Sequence, residues 1–159
     1  MTGNTHILGG LAAGLAFAQG TNYDPILLSG AGVVGALLPD ICHGGSKIGR
    51  TLPLVSKVIN VLFGHRSFTH SLLFLVLIGV LMNSFISNES VRAGIVVGIA
   101  SHLVLDMATK NGVKLLYPFK VRVRFPLTTK TGGTVENIVF AALSLLTVYF
   151  GYGVLGEYF

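Results

Sequence analysis

Histidine and carboxylate side chains occur at the ends of long apolar stretches in this chain of 159 residues. Four of the five histidines hold such positions, and acidic residues lie at matching ends. The set consists of His6, His65, His70, His102, Asp40, Asp106 and Glu136. Imidazole nitrogens and carboxylate oxygens together suit zinc, and they also suit manganese or iron. If the apolar stretches are membrane helices whose ends meet on one side, the pattern predicts a metal site.

The spacing between His102 and Asp106 is the most informative local signal in this set. The two residues are four positions apart in SHLVLD, so on a helix both project from one face. They suit two ligands of one metal, or one ligand and its orienting carboxylate. A buried ion pair that joins two helices is the alternative, although ionisable residues in a membrane domain are costly and usually have a function.

A second pair, His65 and His70, frames the motif GHRSFTH. A helix start near Ser67 or Thr69 would let a loop ligand and a helix ligand converge on one ion. Within the motif, Arg66 matches the bidentate recognition of phosphate by a guanidinium group, and an ion pair with an aspartate is its alternative. The sequence has no GxSxG element, so metal-activated water is favoured over an acyl-enzyme.

The remaining candidates have simpler explanations when each is taken alone. His6 near the N-terminus could be only a polar cap. Asp40, which follows Pro39, could merely end a helix, and Glu136 could merely cap one. His43 lies in the glycine-rich loop CHGGSK, where a ligand role is less favoured. As a set on one side of a membrane, however, these residues favour a metal site.

The composition indicates a membrane protein. Only 11% of the residues are charged and 52% are hydrophobic, whereas a soluble globular domain has about 25% charged residues. A small soluble domain could not cover its surface with so little charge. The chain length predicts a single domain over residues 1–159. Although the formal net charge is +5, the basic residues form no recognisable nucleic-acid module, so we expect no nucleic-acid partner.

Apolar segments at about 6–20, 25–39, 71–87, 91–108 and 136–156 predict about five membrane helices. Several are shorter than the roughly 20 residues that cross a bilayer, and small residues in the first two permit close packing. Ten of the eleven Lys and Arg residues fall in two alternate connections, after the second and the fourth segments. The positive-inside rule then puts those connections and the N-terminus in the cytoplasm and the C-terminus outside. We therefore predict an all-α, polytopic membrane helical bundle with every histidine on the cytoplasmic side.

The connections predict three further elements. Residues 51–63 carry apolar groups at helical spacing, which predicts a short interfacial helix after Pro53; a buried connecting helix is the alternative. Residues 120–127 alternate basic and apolar side chains and predict a strand or an extended segment. A turn in TTKTGGT leads to a helix start at Thr134, which puts Glu136 in a first turn where the helix dipole favours a carboxylate.

Several spaced motifs resemble a known family. HILGG at 6–10, LLPDICH with SKIGR at 37–50, GHRSFTHSLL at 64–73 and SHLVLDMATKNGVKLLYPF at 101–119 are similar, in order, to the YdjM-like family. That family consists of bacterial inner-membrane proteins regarded as metal-dependent hydrolases. Its usual DIDH reads DICH here, so Cys42 stands in the place of an aspartate. A thiolate still binds zinc but suits magnesium poorly.

The resemblance implies a site and a chemistry. The family is similar in turn to zinc-dependent phospholipase C and allied nucleases, whose helices present His and Asp or Glu ligands to several zinc ions. The metal ligands implied in this way are His6, Asp40, His65, His70, His102 and Asp106, with Glu136 next. The residues expected to act in catalysis are Arg66, Asp106 and Glu136. A divalent metal, zinc first and in one or more copies, would lower the pKa of a bound water and stabilise phosphoryl oxygens.

We therefore expect a multi-pass hydrolase of the bacterial inner membrane, in contact with the lipid bilayer, that cleaves a phosphoester of a lipid or lipid-linked substrate at the cytoplasmic rim. A membrane metallopeptidase or amidase that uses the same activated water is the second hypothesis. A metal or proton transporter is the third, but transport needs polar residues along a path through the bilayer, and here they collect on one side. The substrate, the number of metals and the oligomeric state stay open.

Overall fold

The computed structural model describes residues 1–64 and 67–156, without the side chain of Leu155. Its helices are α1 (Gly3–Gln19), α2 (Pro25–Leu37), α3 (Lys47–Thr51), α4 (Pro53–Phe63), α5 (Leu72–Phe85), α6 (Glu89–Met107) and α7 (Thr134–Leu155). Two short 3₁₀ turns, Leu38–Cys42 and Phe68–His70, follow α2 and precede α5. These ranges contain no strand, which confirms the all-α prediction.

The five predicted apolar segments correspond to α1, α2, α5, α6 and α7. Among the described residues, three stretches are long and apolar enough to cross a membrane: Pro25–Cys42, Glu89–Met107 and Thr134–Val154. The helices α1 and α5 have 17 and 14 residues, fewer than the roughly 20 that span a bilayer. The fold is therefore a membrane helical bundle, and five spans stay a prediction.

Glycine residues let three helices pack backbone to backbone at the centre of the bundle, with α2 in contact with both α1 and α6. A Cβ atom at Gly10 in α1 would lie 2.4 Å from the Gly32 carbonyl oxygen, and one at Gly98 in α6 would lie 2.1 Å from that same oxygen. A Cβ atom at Gly35 would lie 2.2 Å from the Ile95 oxygen. Small residues permit such close approach in membrane bundles.

The outer surface of the bundle is apolar along two helices. In α5, Val76 and Val80 are more than half exposed, and in α7 Leu145 and Val148 are about 70% exposed. Soluble proteins rarely expose contiguous apolar patches larger than a few hundred Å². A bilayer solvates such side chains, so this surface agrees with a membrane setting.

The helix α4 has a polar face toward the protein and an apolar face away from it. The Asn60 side chain donates a hydrogen bond to the Cys42 carbonyl at 2.9 Å, and Ser56 is its one buried residue. Leu54, Val58 and Leu62, at helical spacing on the opposite face, are 56 to 79% exposed. The helix predicted after Pro53 is confirmed, and the alternative of a buried connecting helix is wrong.

Two other local predictions have mixed outcomes. The segment 120–127 contains no helix and ends in a bend, and Val123 forms an isolated antiparallel bridge with Val113. In GHRSFTH, the 3₁₀ turn Phe68–His70 begins where a helix start was predicted, but α5 itself begins only at Leu72. The reason is the extended backbone of Ser71, whose hydroxyl accepts a hydrogen bond from the Phe74 N–H at 3.2 Å and caps α5. The predicted start of α7 at Thr134 is confirmed.

Candidate metal centre

Five of the predicted ligands converge at one end of the bundle, where α1, α5 and α7 begin and α2 and α6 end. They are His6 in α1, Asp40 in the 3₁₀ turn after α2, His70 in the 3₁₀ turn before α5, and His102 and Asp106 in α6. All are fully buried except Asp40, whose side chain is 16% exposed. Their ligand atoms form two groups, each within 4.8 Å: His6 with Asp40 and His102, and His70 with His102 and Asp106.

The centre of the cluster lies between two imidazoles and two carboxylates. His70 Nε2 and His102 Nε2 are 3.2 Å apart. Asp106 Oδ2 lies 3.6 Å from the first nitrogen and 3.7 Å from the second. Asp40 Oδ1 lies 3.6 Å and 3.9 Å from the same two atoms. These nitrogen and oxygen donors surround one small volume, as the ligands of a divalent cation do.

A backbone carbonyl fixes the tautomer of His102. Its Nδ1 lies 2.7 Å from the Ala36 carbonyl oxygen, and because a carbonyl can only accept, Nδ1 carries the proton. In the neutral imidazole, the Nε2 lone pair then faces the cluster. Metal-binding histidines commonly donate their second ring N–H in this way. The close packing of α2 on α6 brings Ala36 near enough to accept this hydrogen bond.

His70, in the 3₁₀ turn before α5, has polar neighbours on both ring nitrogens. Its Nδ1 lies 3.1 Å from the Thr69 hydroxyl. Burial disfavours the protonated ring, but hydrogen bonding to Asp40 and the charge of Asp106 outweigh burial and raise the pKa of His70 above its ordinary value of 6.5. The surroundings of this imidazole therefore favour a positive charge.

The surroundings of the His6 ring indicate whether a metal ion fits the cluster. Its ring stacks on that of His102 with centroids 3.6 Å apart, and its Nε2 lies 3.2 Å from Asp106 Oδ1. Its Nδ1, in contrast, is buried without a hydrogen-bond partner among the described residues. Such buried polar atoms are rare and call for an explanation. A metal ion that takes up a lone pair of His6 would provide it, so the residues present fit a divalent metal.

Glu136 stands beside the cluster and belongs to neither ligand group. Its Oε1 accepts hydrogen bonds from the Thr2 N–H at 2.5 Å and the Thr5 hydroxyl at 2.7 Å, and its Oε2 accepts one from the Gly132 N–H at 2.6 Å. These bonds tie the start of α7 to the start of α1. Glu136 thereby positions the helix turn that carries His6, and its predicted catalytic role stays a prediction.

Comparison with known proteins assigns the family. The family model described as YdjM inner membrane protein matches residues 1–158. The chain belongs to this family. The uncharacterized protein YvsG of Bacillus subtilis (strain 168) is 50% identical over 96% of this chain and 95% of its own length. The inner membrane protein YdjM of Escherichia coli (strain K12) is 36% identical over 94% of this chain and 82% of its own length.

A further relative is the inner membrane protein YbcI of Escherichia coli (strain K12), which is 35% identical over 72% of this chain and 66% of its own length. No solved structure matches the chain. Membership in the YdjM family confirms the resemblance and the inner-membrane character inferred from the motifs. The names of the two Escherichia coli relatives specify a membrane and no reaction.

Other predicted residues of this YdjM family member lie at the edge of the cluster or outside the described ranges. His65 and Arg66 are outside the described residues. His43 is exposed in the loop after the 3₁₀ turn and belongs to neither ligand group. Cys42 is buried, and its Sγ donates to the Pro39 carbonyl oxygen at 3.6 Å.

Two contributions to the site have no signal in the sequence. Ala36 acts through its backbone carbonyl, so its residue type says nothing about the bond to His102. Thr5 precedes His6 and reaches Glu136 across 131 residues of sequence. Only the packing of α1 against α2 and α7 shows these partners.

Proposed function

We propose that the protein is an integral membrane, metal-dependent hydrolase that cleaves a phosphoester of a lipid or lipid-linked substrate. The convergence of three imidazoles and two carboxylates in one buried cluster carries the proposal. Burying two carboxylates is costly unless cations balance their charge. The N-terminal ammonium of Met1 contacts Asp106, and a divalent ion with nitrogen and oxygen ligands would balance the remaining charge. Zinc is the first candidate, because imidazole and carboxylate groups are among its usual ligands.

The residues that would hold the metal are His6, Asp40, His70, His102 and Asp106. Because His102 belongs to both ligand groups and has one free lone pair, on Nε2, these groups would share one ion at His102. When bound, the metal would supply a water nucleophile at neutral pH and stabilise charge on phosphoryl oxygens. Asp106 would also orient the imidazole of His6, whose Nε2 lies 3.2 Å from Asp106 Oδ1. Catalytic roles for Asp106, Glu136 and Arg66 are part of the proposal.

The surroundings of the cluster favour a lipid substrate. The helix α4 packs against the 3₁₀ turn that contains Asp40 and turns an apolar face away from the protein. A helix with such a face lies in the plane of a membrane interface. In that position α4 would hold the cluster at the level of lipid headgroups.

We further propose that the cluster faces the cytoplasm, with the N-terminus inside and the C-terminus outside. The concentration of Lys and Arg in two alternate connections supports this orientation. A topology reporter fused to the C-terminus should indicate a position outside the cytoplasm, and one inserted beside Lys57 should indicate a position in the cytoplasm. The opposite pattern would move the site to the outer face and refute the orientation.

Two other functions would use the same cluster differently. A metallopeptidase or amidase would use the same activated water, and a screen in which peptides but no phosphoesters are cleaved would replace our proposal with this one. Transport of metal or protons needs polar groups across the bilayer, whereas α5 contains no charged residue and α7 contains only Glu136. Metal uptake into vesicles that contain the protein would favour transport instead.

The test of the proposed function combines metal analysis with hydrolysis. Protein purified in detergent should contain stoichiometric transition metal and should hydrolyse lipid phosphoesters. His70→Ala and Asp106→Ala should lose both properties while circular dichroism shows the same helical content. Glu89→Ala removes a carboxylate that is 69% exposed at the opposite end of α6 and serves as the matched control. If protein stripped of metal by a chelator hydrolyses lipid phosphoesters as fast as untreated protein, the proposal is contradicted.

A further inference from the structure

A polar cavity of about 330 Å³ opens beside the cluster. Among the residues that line it are Gly3, Asn4, Asp40, Lys47, Arg50 and Thr131. Asp40 belongs to the cavity and to the candidate metal centre alike. A ligand in this cavity would therefore lie between Asp40, a candidate metal ligand, and the residues on the other side of the cavity.

Two cationic side chains, Lys47 and Arg50, line the side of the cavity formed by α3. The aliphatic part of Lys47 lies against the start of α1, since a Cβ atom at Gly3 would be 3.8 Å from its Cγ, Cδ and Cε. The Arg50 Nε donates to the Ser46 carbonyl at 3.4 Å. Both cations are thus held at the rim of the cavity, where a guanidinium and an ammonium bind phosphate oxygens well.

Ser46 connects these cations to the metal centre. Its hydroxyl donates to the Asp40 carbonyl at 2.8 Å and accepts from the Gly49 N–H at 2.9 Å, which caps α3. Gly49 packs so closely on the loop that a Cβ atom would lie 2.0 Å from the His43 oxygen. The short helix that carries Lys47 and Arg50 is therefore fixed relative to Asp40.

The start of α1 adds a third source of positive potential. Gly3 and Asn4 of its first turn line the cavity, and this turn contains no acidic residue. A helix of 17 residues carries a partial positive charge at its N-terminus, which favours anions. The cavity thus combines two cations and the start of α1, which the Glu136 carboxylate also contacts through the Thr2 N–H, with one lining carboxylate, Asp40, that the metal would neutralise.

We propose that this cavity binds the phosphate group of the substrate, with Lys47 and Arg50 as the residues that recognise it and Asp40 as the link to the metal. The proposal rests on the proposed function, because it assigns the substrate-binding part of the same site. The volume is near the lower limit of the roughly 300–1,000 Å³ typical of ligand sites. It suits a phosphate-containing headgroup, and acyl chains would remain in the bilayer next to α4.

Binding of inorganic phosphate to the purified protein, measured by isothermal titration calorimetry in detergent, tests the site without hydrolysis. The double variant Lys47→Gln/Arg50→Gln should raise the Kd about tenfold, which corresponds to about 1.4 kcal/mol. Lys57→Gln removes an exposed lysine on α4 that does not line the cavity and should leave the Kd unchanged. Absence of phosphate binding to the unsubstituted protein, or an equal Kd in the double variant, would overturn the proposal.

Hydrolysis assays then separate this proposal from the proposed function. If the double variant raises KM for a phosphoester and retains bound metal, the phosphate site is supported. If the unsubstituted protein binds phosphate through Lys47 and Arg50 but hydrolyses nothing, the hydrolase proposal fails and the binding site remains. Phosphatidic acid vesicles and soluble glycerol phosphate distinguish the source: stronger competition by the vesicles supports a lipid headgroup, and equal competition supports a soluble phosphoester in the same site. A KM unchanged by the double substitution would reject the site.

Discussion

Replacing Gly98 by alanine tests whether the contact between α2 and α6 positions the metal centre. Gly98 lies one helical turn before His102, and its neighbours across the interface are Gly32 and Ala36. A Cβ atom at Gly98 would lie 2.1 Å from the Gly32 oxygen and 2.7 Å from the Ala36 nitrogen. Both atoms belong to the backbone of α2, so no side-chain rotation relieves the overlap.

The size of the effect follows from these distances. Ordinary contact begins near 3.4 Å, so α2 and α6 would have to separate locally by about 1.3 Å, the difference between 3.4 Å and 2.1 Å. A shift of that size along the bond from His102 to the Ala36 oxygen would lengthen it from 2.7 Å to about 4 Å, beyond hydrogen-bond range. Overpacking costs about 1–3 kcal/mol, and a buried donor left without its acceptor costs about 1–3 kcal/mol more. The higher helix propensity of alanine returns about 1 kcal/mol.

We therefore expect Gly98→Ala to lower the free energy of unfolding by about 1–5 kcal/mol, and to lower Tm by about 2–20 °C for a chain of this size. Metal affinity should fall by about 10–100-fold, the usual effect of losing the hydrogen bond that orients a metal-binding histidine. Thermal unfolding followed by circular dichroism and elemental analysis after dialysis measure the two effects.

Gly30→Ala is the matched control, because Gly30 is exposed on α2 and a Cβ atom there has no neighbour within 4 Å. It should unfold at the same temperature as the unsubstituted protein or slightly higher. If Gly98→Ala keeps the Tm and the metal content of Gly30→Ala, the glycine contact does not position His102, and the reasoning is wrong.

Three further predictions concern the elements around the centre. Glu136→Ala removes three hydrogen bonds to a carboxylate and should lower the free energy of unfolding by about 2–4 kcal/mol; an unchanged Tm would show that it does not hold α1. Ser46→Ala removes the cap of α3 and should cost about 1 kcal/mol in the same assay, whereas a loss below about 0.3 kcal/mol would contradict its role. The chain has no tryptophan, so Val58→Trp introduces a single tryptophan, whose fluorescence should be quenched by lipids brominated in their acyl chains more than that of Lys57→Trp; equal quenching would exclude an interfacial α4.

The convergence of the site residues could be predicted from the sequence because it depends on few variables. Apolar segments alternate in direction, so residues at alternate ends meet on one side of a bundle. His6, Asp40, His102 and Asp106 satisfy that rule, and the four-residue spacing of the last two puts them on one face of α6. The starts of α4 and α7 were also predictable, since proline and a glycine turn mark them.

Distances between helices could not be predicted in the same way. The 2.7 Å distance between His102 Nδ1 and the Ala36 oxygen depends on how closely α2 and α6 pack, and that depends on pairs of glycines far apart in sequence. The start of α5 was misplaced because the local sequence favours a turn at Ser67 as well as a cap at Ser71. The cavity beside Asp40 could not be predicted either, because in the sequence Lys47 indicates only on which side of the membrane its connection lies.

The sequence by itself determined the class of the protein, its apolar segments and the types of side chain available at their ends, because hydropathy, helical period and charge placement are local properties of the chain. Only the tertiary structure decided which of those side chains share a volume, that the Ala36 carbonyl sets the tautomer of His102, and that Lys47 and Arg50 line a cavity ending at Asp40. The physical reason is that these relations join residues as far apart in sequence as His6 and Asp106, and backbone contacts at glycine, rather than residue types, set the distance between α2 and α6.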